Sequence, residues 1–377
     1  MKILVTGGAG FIGSHVVDHL VEHRHEVVVL DSLDPQVHGV GPKEPRHILA
    51  HQKGGAVQFI HGTVTDRTTL ENALDGVETV VHLAAAVGVG QSMYEPYYYV
   101  DTNANGTGLL LDIVVKNRRR VSKLIVASSM SLYGEGAYRC PSCDRPLAGV
   151  RSEERLRAGR WEVPCASCGA DLQPLPTPES KAPDIASVYA ATKKHQEDLF
   201  VSFGQAYRIP TFALRFFNVY GPRQSLNNPY TGVAAIFLSR LLNGHRPLVF
   251  EDGGQSRDFI EVRDVAGAVT LAAESGQEGA HVLNIGTGAA TSVRQVGEAL
   301  ARRLGLDIQP EFLGRYRAGD IRHCIADAGA VQRILGFKAE TTFDAGLADL
   351  IAWCGGEQPR DQVLTSLQEL ERRGLVR

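Results

Sequence analysis

The chain has 377 residues, of which 44% are hydrophobic and 21% charged, and its formal net charge is −3. This length suffices for two domains that share a large core, and the scattered Lys and Arg residues provide no basic face for nucleic acid. No apolar stretch has the length of a signal peptide or a membrane span, so we expect a cytoplasmic protein with reduced thiols and no membrane partner.

The first half of the chain alternates short β-branched runs with amphipathic stretches, a pattern typical of βαβ units around a parallel sheet. The candidate strands are Lys2–Val5, Val27–Leu30, Val57–Ile60, Thr79–Leu83, Lys123–Ala127 and Thr211–Leu214. Helical patterns cover Phe11–His23, Tyr98–Asn117 and Val188–Tyr207, and later ones lie near 291–304, 343–354 and 361–373. Apolar runs such as Val27–Leu30 suit strands that are covered by helices on both faces.

These patterns predict an α/β fold with a doubly wound parallel sheet of the Rossmann type and a smaller C-terminal domain. We expect residues 1–138 and 176–214 to form the dinucleotide-binding domain. Residues 215–377 are expected to form mainly the substrate domain, with part of 257–290 a candidate to return to the first domain. The remaining segment, 139–175, is rich in Pro and contains four Cys, which indicates an insertion with its own structure.

A glycine-rich turn follows the first strand and opens the first helix. Gly7, Gly10 and Gly13 allow a tight turn and a close approach to a pyrophosphate, whose charge suits the free N–H groups of a helix N-terminus. Asp31 closes the second strand, where it can accept hydrogen bonds from both hydroxyls of an adenosine ribose and would repel a 2′-phosphate. The sequence therefore predicts NAD rather than NADP as the cofactor.

A tyrosine and a lysine lie four residues apart on a stretch with a strong helical pattern, so they share one face. The phenol of Tyr189 has an ordinary pKa of about 10, and a nearby Lys193 ammonium and a positive nicotinamide ring would lower it to make a usable base. Lys193 would also hold the nicotinamide ribose. Upstream, Ser128 and Ser129 end an apolar strand, where a hydroxyl can bridge a substrate oxygen and the tyrosine.

With these motifs in this order, the chain resembles the extended short-chain dehydrogenases/reductases of the NAD-dependent nucleotide-sugar epimerase/dehydratase family along nearly its whole length. The matching segments are Thr6–Gly13, His82–Ala85, Asn103–Thr107, Ser128–Gly134, Tyr189–Lys193, Arg215–Pro222, Arg257–Ile260, Asn284–Gly288 and Arg317–Asp320. The resemblance implies a homodimer that binds a nucleotide sugar.

The resemblance also implies roles for individual residues. The catalytic residues would be Ser129, Tyr189 and Lys193. The residues expected to contact NAD are Gly7, Gly10, Phe11, Ile12, Gly13, Asp31, Thr63, Val64, Leu83, Ala84, Ala85, Asn103, Ser128, Tyr189 and Lys193. Substrate would be bound by Ser129, Asn218, Arg257, Arg317 and Asp320, in keeping with the match between an arginine fork and phosphate oxygens.

The sequence departs from the family pattern at two places. Thr63 stands where relatives usually have an acid that meets the adenine, which weakens the case for that contact. Met130 and Ser131 stand where the dehydratases of the family carry an Asp-Glu pair, and neither side chain can donate the proton that water elimination requires. This second departure argues against dehydration.

The sequence therefore predicts a NAD-dependent 4-epimerase of UDP-, dTDP- or GDP-sugars that acts through a transient 4-keto sugar. Tyr189 would take the proton of the 4-hydroxyl while NAD, which stays bound and is recycled, takes the hydride from C4. The alternatives are other 4-keto chemistry, such as decarboxylation or reduction, and a non-catalytic NAD-binding regulator that uses the insertion to hold a partner.

The insertion contains two CxxC turns, Cys140–Cys143 and Cys165–Cys168, separated by 21 residues. Two such turns can present four thiolates in a tetrahedron, and the spacing is close to that of zinc ribbons. A redox-active CxxC would be single, and disulfides are unusual in a reducing compartment. The sequence therefore predicts structural Zn²⁺. This insertion and the loop Gly88–Tyr94 resemble the dTDP-L-rhamnose 4-epimerase branch of the family.

Overall fold

The structure, a computed structural model, describes residues 1–39, 44–116, 120–143, 148–317, 319–355 and 359–377. Its strands are β1 (Lys2–Thr6), β2 (Glu26–Asp31), β3 (Val57–His61), β4 (Thr79–His82), β5 (Lys123–Ser129), β6 (Ala137–Arg139), β7 (Gln173–Thr177), β8 (Thr211–Phe216), β9 (Asn218–Tyr220), β10 (Leu248–Val249), β11 (Ser256–Arg257), β12 (Phe259–Glu261), β13 (Ala280–Ile285), β14 (Thr291–Ser292), β15 (Glu311–Phe312) and β16 (His323–Ala326).

The helices of the described residues alternate with these strands in the first half and dominate the last quarter. They are α1 (Phe11–Glu22), α2 (Pro35–His38), α3 (Leu49–Lys53), α4 (Arg67–Ala73), α5 (Val89–Ser92), α6 (Pro96–Tyr99), α7 (Gly106–Lys116), α8 (Glu153–Arg157), α9 (Val188–Tyr207), α10 (Val233–Leu242), α11 (Val262–Glu274), α12 (Val293–Arg303), α13 (Gly329–Leu335), α14 (Phe343–Cys354) and α15 (Val363–Arg372). All six predicted strands are present, and the helix predicted at Val188–Tyr207 has the predicted bounds.

The central sheet is parallel throughout and has seven strands in the order β13-β8-β5-β4-β1-β2-β3. The chain builds outward from β1 to β3 on one side and from β4 to β13 on the other, so the strand order reverses between β1 and β4. Ligands of doubly wound folds bind at this reversal, beyond the carboxyl ends of the strands. The predicted Rossmann-type sheet is confirmed.

Apolar side chains cover both faces of the central sheet. On one face, α1 and α11 bury residues such as Val17 and Val269 against the sheet. On the other face, α4, α7 and α9 bury residues such as Leu110 and Phe200. A third cluster joins α10, α12 and α14 into a separate apolar core that contains Phe237, Leu300 and Leu347. The strands have uninterrupted runs of apolar, often β-branched residues because both faces of the sheet are buried.

The stretch predicted as one helix from Tyr98 to Asn117 differs in detail. Residues Val100–Asn105 form a π-helix between α6 and α7, and Asn117 lies outside the described residues. The wider turn coincides with Asn103, whose side chain bonds to the backbone of Ala86 and to Thr192. Isolated π turns are common at functional sites because they redirect a single side chain.

The predicted insertion continues a second sheet. Strands β6 and β7 pair with each other at its base, and β7 extends a five-stranded sheet of order β14-β11-β16-β7-β6. Residues 144–147 of the insertion and Ala318 lie outside the described residues. The predicted domain boundaries stay a prediction. Among the described residues, no helix combines the length and apolar surface that crossing a bilayer requires.

Candidate active site

The glycine-rich turn brings the backbone after β1 close to the loop after β4. Gly7 has φ +71°, and a Cβ atom there would lie 2.9 Å from the backbone nitrogen of Ala84. A Cβ atom on Gly13 would lie 2.1 Å from the Gly7 carbonyl oxygen, so a side chain at either position requires the turn to move. Gly10 is the N-cap of α1, and no side chain of the described residues caps it. The first N–H groups of α1, beginning at Phe11, therefore suit an anionic pyrophosphate.

Asp31 lies at the carboxyl end of β2 with only 8% of its surface exposed. Its two carboxylate oxygens accept hydrogen bonds from the backbone N–H groups of Ala9 (3.0 Å) and Leu33 (2.9 Å). An ionised carboxylate can accept about four hydrogen bonds, so two remain for ribose hydroxyls. The fixed carboxylate fits NAD.

Other predicted cofactor residues follow β3 and β4 or lie just before α7. The Thr63 hydroxyl forms a hydrogen bond with the Thr65 hydroxyl at 3.0 Å, and Val64 is buried where α7 begins at Gly106. Both amide hydrogens of Asn103 are used within the protein, so this side chain acts by holding the loop after β4 against α9. That loop contains Leu83, Ala84 and Ala85.

Tyr189 lies in the first turn of α9, where two serines satisfy the free N–H groups of the helix end. The Ser187 hydroxyl accepts from the backbone of Ala190 (3.1 Å), and the Ser92 hydroxyl accepts from the backbone of Tyr189 (3.0 Å). Burial raises the pKa of the Tyr189 phenol, and the nearby Ser129 hydroxyl, which donates to the Ser131 hydroxyl at 3.1 Å, lowers that pKa in part. The structure therefore brings Ser129 and Tyr189 together, but a positive charge is still needed to favour the phenolate.

Lys193 is buried one turn further along α9. Its ammonium donates a hydrogen bond to Oε1 of Gln196 at 2.5 Å, and Gln196 in turn contacts His82 and Thr107. Burial lowers the pKa of the Lys193 ammonium to about 7, and the nearby Glu197 carboxylate opposes this shift. The lysine side chain is thus held in a buried polar network by Gln196, and Glu197 favours its charged form.

A buried ion pair beside the end of β5 was not predicted from the sequence. Arg215 makes two hydrogen bonds to Glu197, at 2.9 and 2.7 Å, and the Ser128 hydroxyl donates to the same carboxylate at 2.7 Å. Arg215 also donates to the Tyr133 hydroxyl at 2.7 Å. Because Glu197 follows Lys193 by four residues, helical spacing could have placed it on the same face. The network fixes Ser128, and hence the strand end that carries Ser129.

Asn218 lies on β9, which pairs with β12, and Arg257 ends β11, the strand that precedes β12 in the chain. The side-chain oxygen of Asn218 is buried and has no hydrogen-bond partner among the described residues. Such an unsatisfied acceptor suits a donor on a ligand. Arg257 donates to the backbone carbonyls of Ser256 (2.9 Å), Arg322 (3.0 Å) and Ile321 (2.6 Å), so much of its hydrogen-bonding capacity fixes the following loop.

Arg317 and Asp320 form an ion pair at one edge of this region. Nε and Nη2 of Arg317 lie 3.1 and 2.9 Å from one carboxylate oxygen of Asp320. Arg257 approaches the other oxygen at 3.4 Å. Burial alone would raise the pKa of Asp320, but Arg317, Arg257 and Arg151 hold it below its ordinary value. Arg317 remains 48% exposed at its side chain, which leaves it able to meet a phosphate.

The four cysteines of the insertion converge. The sulfur atoms of Cys140, Cys143, Cys165 and Cys168 all lie within 4.8 Å of one another, and three of the separations are 3.5, 3.5 and 3.9 Å. Zinc–sulfur bonds of about 2.3 Å in a tetrahedron place the sulfurs about 3.8 Å apart. All six cysteines of the chain are free thiols. The cluster therefore fits a four-coordinate zinc ion.

Backbone N–H groups also point at these sulfur atoms. The N–H of Ser142 donates to the sulfur of Cys140 at 3.4 Å, and the sulfur of Cys165 accepts from Ser167 and Cys168. Such bonds stabilise thiolates, which are the form that binds metal.

The comparisons with known proteins agree with this geometry. The profile of the NAD dependent epimerase/dehydratase family matches residues 3–150 and 166–286, and the chain belongs to this family. The chain is 34% identical to a dTDP-L-rhamnose 4-epimerase from Burkholderia thailandensis over 362 residues, which are 95% of this chain and 96% of that relative. The unmatched residues between the two family segments lie within the insertion.

Two solved structures are similar over nearly the whole chain. A UDP-glucose 4-epimerase with UDP-glucose from Thermotoga maritima has a TM-score of 0.74 and 31% identity, and the match covers 94% of this chain and 98% of that one. A UDP-glucose 4-epimerase complex with NAD from Thermus thermophilus has a TM-score of 0.72 and 30% identity, covering 95% of this chain and all of that one (100%).

Proposed function

We propose that the chain is a NAD-dependent nucleotide-sugar 4-epimerase that acts through a transient 4-keto sugar. The observation that carries this proposal is the approach of Ser129 to Tyr189 at the carboxyl edge of the central sheet. The relatives that are 4-epimerases of dTDP- and UDP-sugars support the same reaction.

Different residues would bind the cofactor and transfer the proton. Asp31 and the turn from Gly7 to Gly13 would hold NAD, which accepts hydride from C4 of the sugar and returns it to the other face. Tyr189 would remove the proton of the 4-hydroxyl, and Ser129 would bridge that oxygen and the phenol. Lys193 would supply positive charge beside the phenol, which opposes the effect of burial on its pKa.

The substrate would be anchored by its diphosphate rather than by its sugar. Arg317 and Arg257 would supply fixed positive charge for the diphosphate, and the unsatisfied oxygen of Asn218 would accept a hydrogen bond from a hydroxyl of the ligand. An anchor away from C4 leaves the 4-keto sugar free to present its opposite face to the hydride.

Product analysis tests this function. The purified protein is incubated in D₂O with UDP-, dTDP-, GDP- and CDP-sugars, without added NAD, and the products are identified by NMR. We expect one sugar to give a mixture of C4 epimers that keeps its original hydrogen at C4. Carbon dioxide release would indicate a decarboxylase, and consumption of added NADH a reductase. If no nucleotide sugar is converted, the alternative of a NAD-binding regulator is favoured.

We also propose that the four cysteines of the insertion bind one structural Zn²⁺. The sulfur separations and the backbone donors to sulfur support this assignment. With four protein ligands, the ion has no open position and can organise the insertion but not activate water.

The same proposal includes a cytoplasmic homodimer. Leu199, Phe203 and Tyr207 on α9 lie beside Leu111 and Val115 on α7 along a shallow surface groove. Tyr207 is 56% exposed, so an apolar strip remains on the surface of two adjacent helices. A second copy of the chain would cover it by helix packing. Light scattering during gel filtration tests this: a monomeric mass at micromolar concentration contradicts the homodimer.

A further inference from the structure

The insertion is joined to the predicted diphosphate site through a shared sheet. Its basal strand β7 pairs with β16, and β16 pairs with β11, the strand that contains Arg257. The loop that contains Arg317 and Asp320 leads directly into β16. In this sheet, β16 alone separates β7, at the base of the insertion, from β11, the strand that contains Arg257.

Arg151 makes the closest side-chain link between the insertion and this loop. Its guanidinium donates to the main-chain carbonyl oxygen of Asp320 and to Oε1 of Glu251 at 2.7 Å. It also lies 3.3 Å from Oε1 of Glu135 and donates to the carbonyl oxygen of Trp161 at 3.4 Å. Only 8% of the side chain is exposed, so the guanidinium is committed to these partners.

The contact with Asp320 has a direct consequence for the two arginines. Asp320 uses its carbonyl oxygen to accept from Arg151, while its carboxylate accepts from Arg317 and approaches Arg257. Fixing the backbone of Asp320 therefore fixes the carboxylate that orients both arginines. The fork of an arginine can bind a carboxylate and a carbonyl at once, which the compact ammonium of a lysine does less well.

A second link runs in parallel from the insertion to β16. The carboxylate of Glu162 accepts from Arg322 at 2.6 and 2.9 Å and lies 2.9 Å from Nε2 of His323. Burial alone would raise the pKa of Glu162, but hydrogen bonds from His323 and Arg322 lower this pKa to about 2. Glu251 then joins the two links, because it binds both Arg151 and Arg322.

We propose that Arg151 is a positioning residue for the nucleotide-sugar diphosphate, which it influences by holding Asp320 and, through it, Arg317 and Arg257. The inference rests on the proposed function, since it assigns the diphosphate to these arginines. This role connects the insertion to substrate affinity. The fold of the insertion positions Arg151, and Arg151, through Asp320, positions Arg317 and Arg257. Residues 151–165 lie between the two segments that the family profile matches and are not matched themselves, so this link is an addition to the family framework.

Substitution of Arg151 separates affinity from chemistry. Arg151→Gln should raise KM for the nucleotide sugar by about 10- to 100-fold and weaken binding of the nucleoside diphosphate UDP or dTDP equally, with kcat within about threefold of wild type. These values follow from the loss of one buried, charge-assisted contact. Arg151→Lys keeps the charge but not the fork, and should raise KM by a smaller factor.

Arg157 provides the control. It lies in α8 of the same insertion, its side chain is 72% exposed, and its guanidinium pairs with Glu153 within the same helix. Arg157→Gln should leave KM and nucleoside diphosphate binding unchanged. Bound NAD and zinc are measured for every variant, because a positioning role predicts that neither changes.

The outcomes distinguish the inference from the proposed function. If wild-type protein converts a nucleotide sugar but both Arg151 variants retain its KM, the inference is wrong and the proposed function stands. A loss of kcat at unchanged KM would also overturn it. If Arg151→Gln does not fold, the Lys variant decides, because its retained charge still pairs with the buried carboxylates. If wild-type protein binds no nucleoside diphosphate and converts no nucleotide sugar, the proposed function fails, and the inference fails with it.

Discussion

The hydroxyl of Ser129 lies close enough to the phenol of Tyr189 to lower its pKa in part, although 60 residues separate the two in the chain. We predict that Tyr189→Phe reduces turnover by about 10²- to 10⁴-fold, the range for loss of a positioned proton-transfer group. Bound NAD should remain, because the cofactor is expected to be held mainly by the glycine turn and Asp31. Turnover is measured by NMR. The amount of bound NAD is measured after the protein is denatured and the cofactor is released.

Tyr99 offers a control for the loss of a hydroxyl beside this site. Its ring packs edge-on against that of Tyr189, with centroids 6.4 Å apart, and its hydroxyl donates to Gln91. Tyr99→Phe should keep most of the activity. If Tyr189→Phe retains activity within a few-fold of wild type, another group acts as the base.

The second prediction concerns cofactor choice. Protein that is purified and denatured should release NAD rather than NADP, because the Asp31 carboxylate lies where a 2′-phosphate would be repelled. Asp31→Ala should lower NAD content and narrow the preference for NAD over NADP. Asp34→Asn is the control. The Asp34 carboxylate caps α2 by accepting a hydrogen bond from the backbone N–H of Gln36, and an asparagine side chain can make the same cap. Release of NADP from wild-type protein would contradict the role given to Asp31.

The third prediction concerns the diphosphate. Arg317→Ala should raise KM by about one to two orders of magnitude, as expected when a charge-assisted hydrogen bond of about 1.5–3 kcal/mol is lost. The effect on kcat should be small, since the phosphates lie away from the reacting carbon. Arg315→Ala is the control, because Arg315 pairs with Glu371 at 2.5 Å instead of Asp320. A fall in kcat alone would remove Arg317 from the phosphate role.

Local patterns were enough to predict six of the seven strands of the central sheet, but not its edge strand β13. The apolar runs of the six predicted strands are read from adjacent residues, and so is the four-residue spacing of Tyr189 and Lys193. Both depend on short-range periodicity, which the sequence displays directly. The π turn at Val100–Asn105 could not be read in this way, because it follows from contacts of Asn103 with residues distant in the chain.

Buried polar networks were the features that the sequence did not predict. Glu197 pairs with Arg215, and Arg151 reaches Asp320, 169 residues away. Charged residues on amphipathic stretches are usually solvated, so their pairing in the interior depends on tertiary structure. The pKa of Lys193 could not be predicted either, because it is lowered by burial and a sequence motif does not show how deeply a side chain is buried.

The fourth prediction is that the free energy of unfolding falls as the pH drops from about 6.5 towards about 4. Burial and Lys193 lower the pKa of His82 to about 3, and burial and Arg223 lower that of His15 to about 4, from an ordinary value of 6.5. In this window the unfolded chain takes up protons that the folded protein does not, which favours unfolding. Each histidine contributes a slope of up to about 1.4 kcal/mol per pH unit.

Urea unfolding between pH 8 and pH 4.5 measures this slope. His15→Gln should reduce it, because the substitution removes one such group and an amide donor can replace the ring nitrogen that lies 3.0 Å from the Pro222 carbonyl. His195→Gln is the control, since His195 is exposed on α9. An unchanged slope in His15→Gln would show that His15 takes up its proton equally in both states.

The last prediction concerns the metal of the insertion. One zinc ion per chain should be found by metal analysis of protein kept reduced during purification. Cys140→Ser/Cys143→Ser should lose it, because two of four ligands are gone. Cys354→Ala should keep it, because Cys354 lies in α14 outside the cluster. Metal-free wild-type protein would refute the zinc assignment.

Loss of zinc should disorder the insertion while the central sheet stays folded. The only buried apolar residues of its cluster are Val163, Cys165 and Leu172 within the described residues, too few to hold the segment without metal. Limited trypsin digestion should therefore cut the double mutant between Arg151 and Arg160 and spare the zinc-bound protein. The KM of the double mutant for the nucleotide sugar should also rise, because an unfolded insertion no longer holds Arg151 against Asp320. A double mutant that lacks zinc but keeps wild-type KM and protease resistance would show that the insertion folds, and supports the substrate site, without its metal.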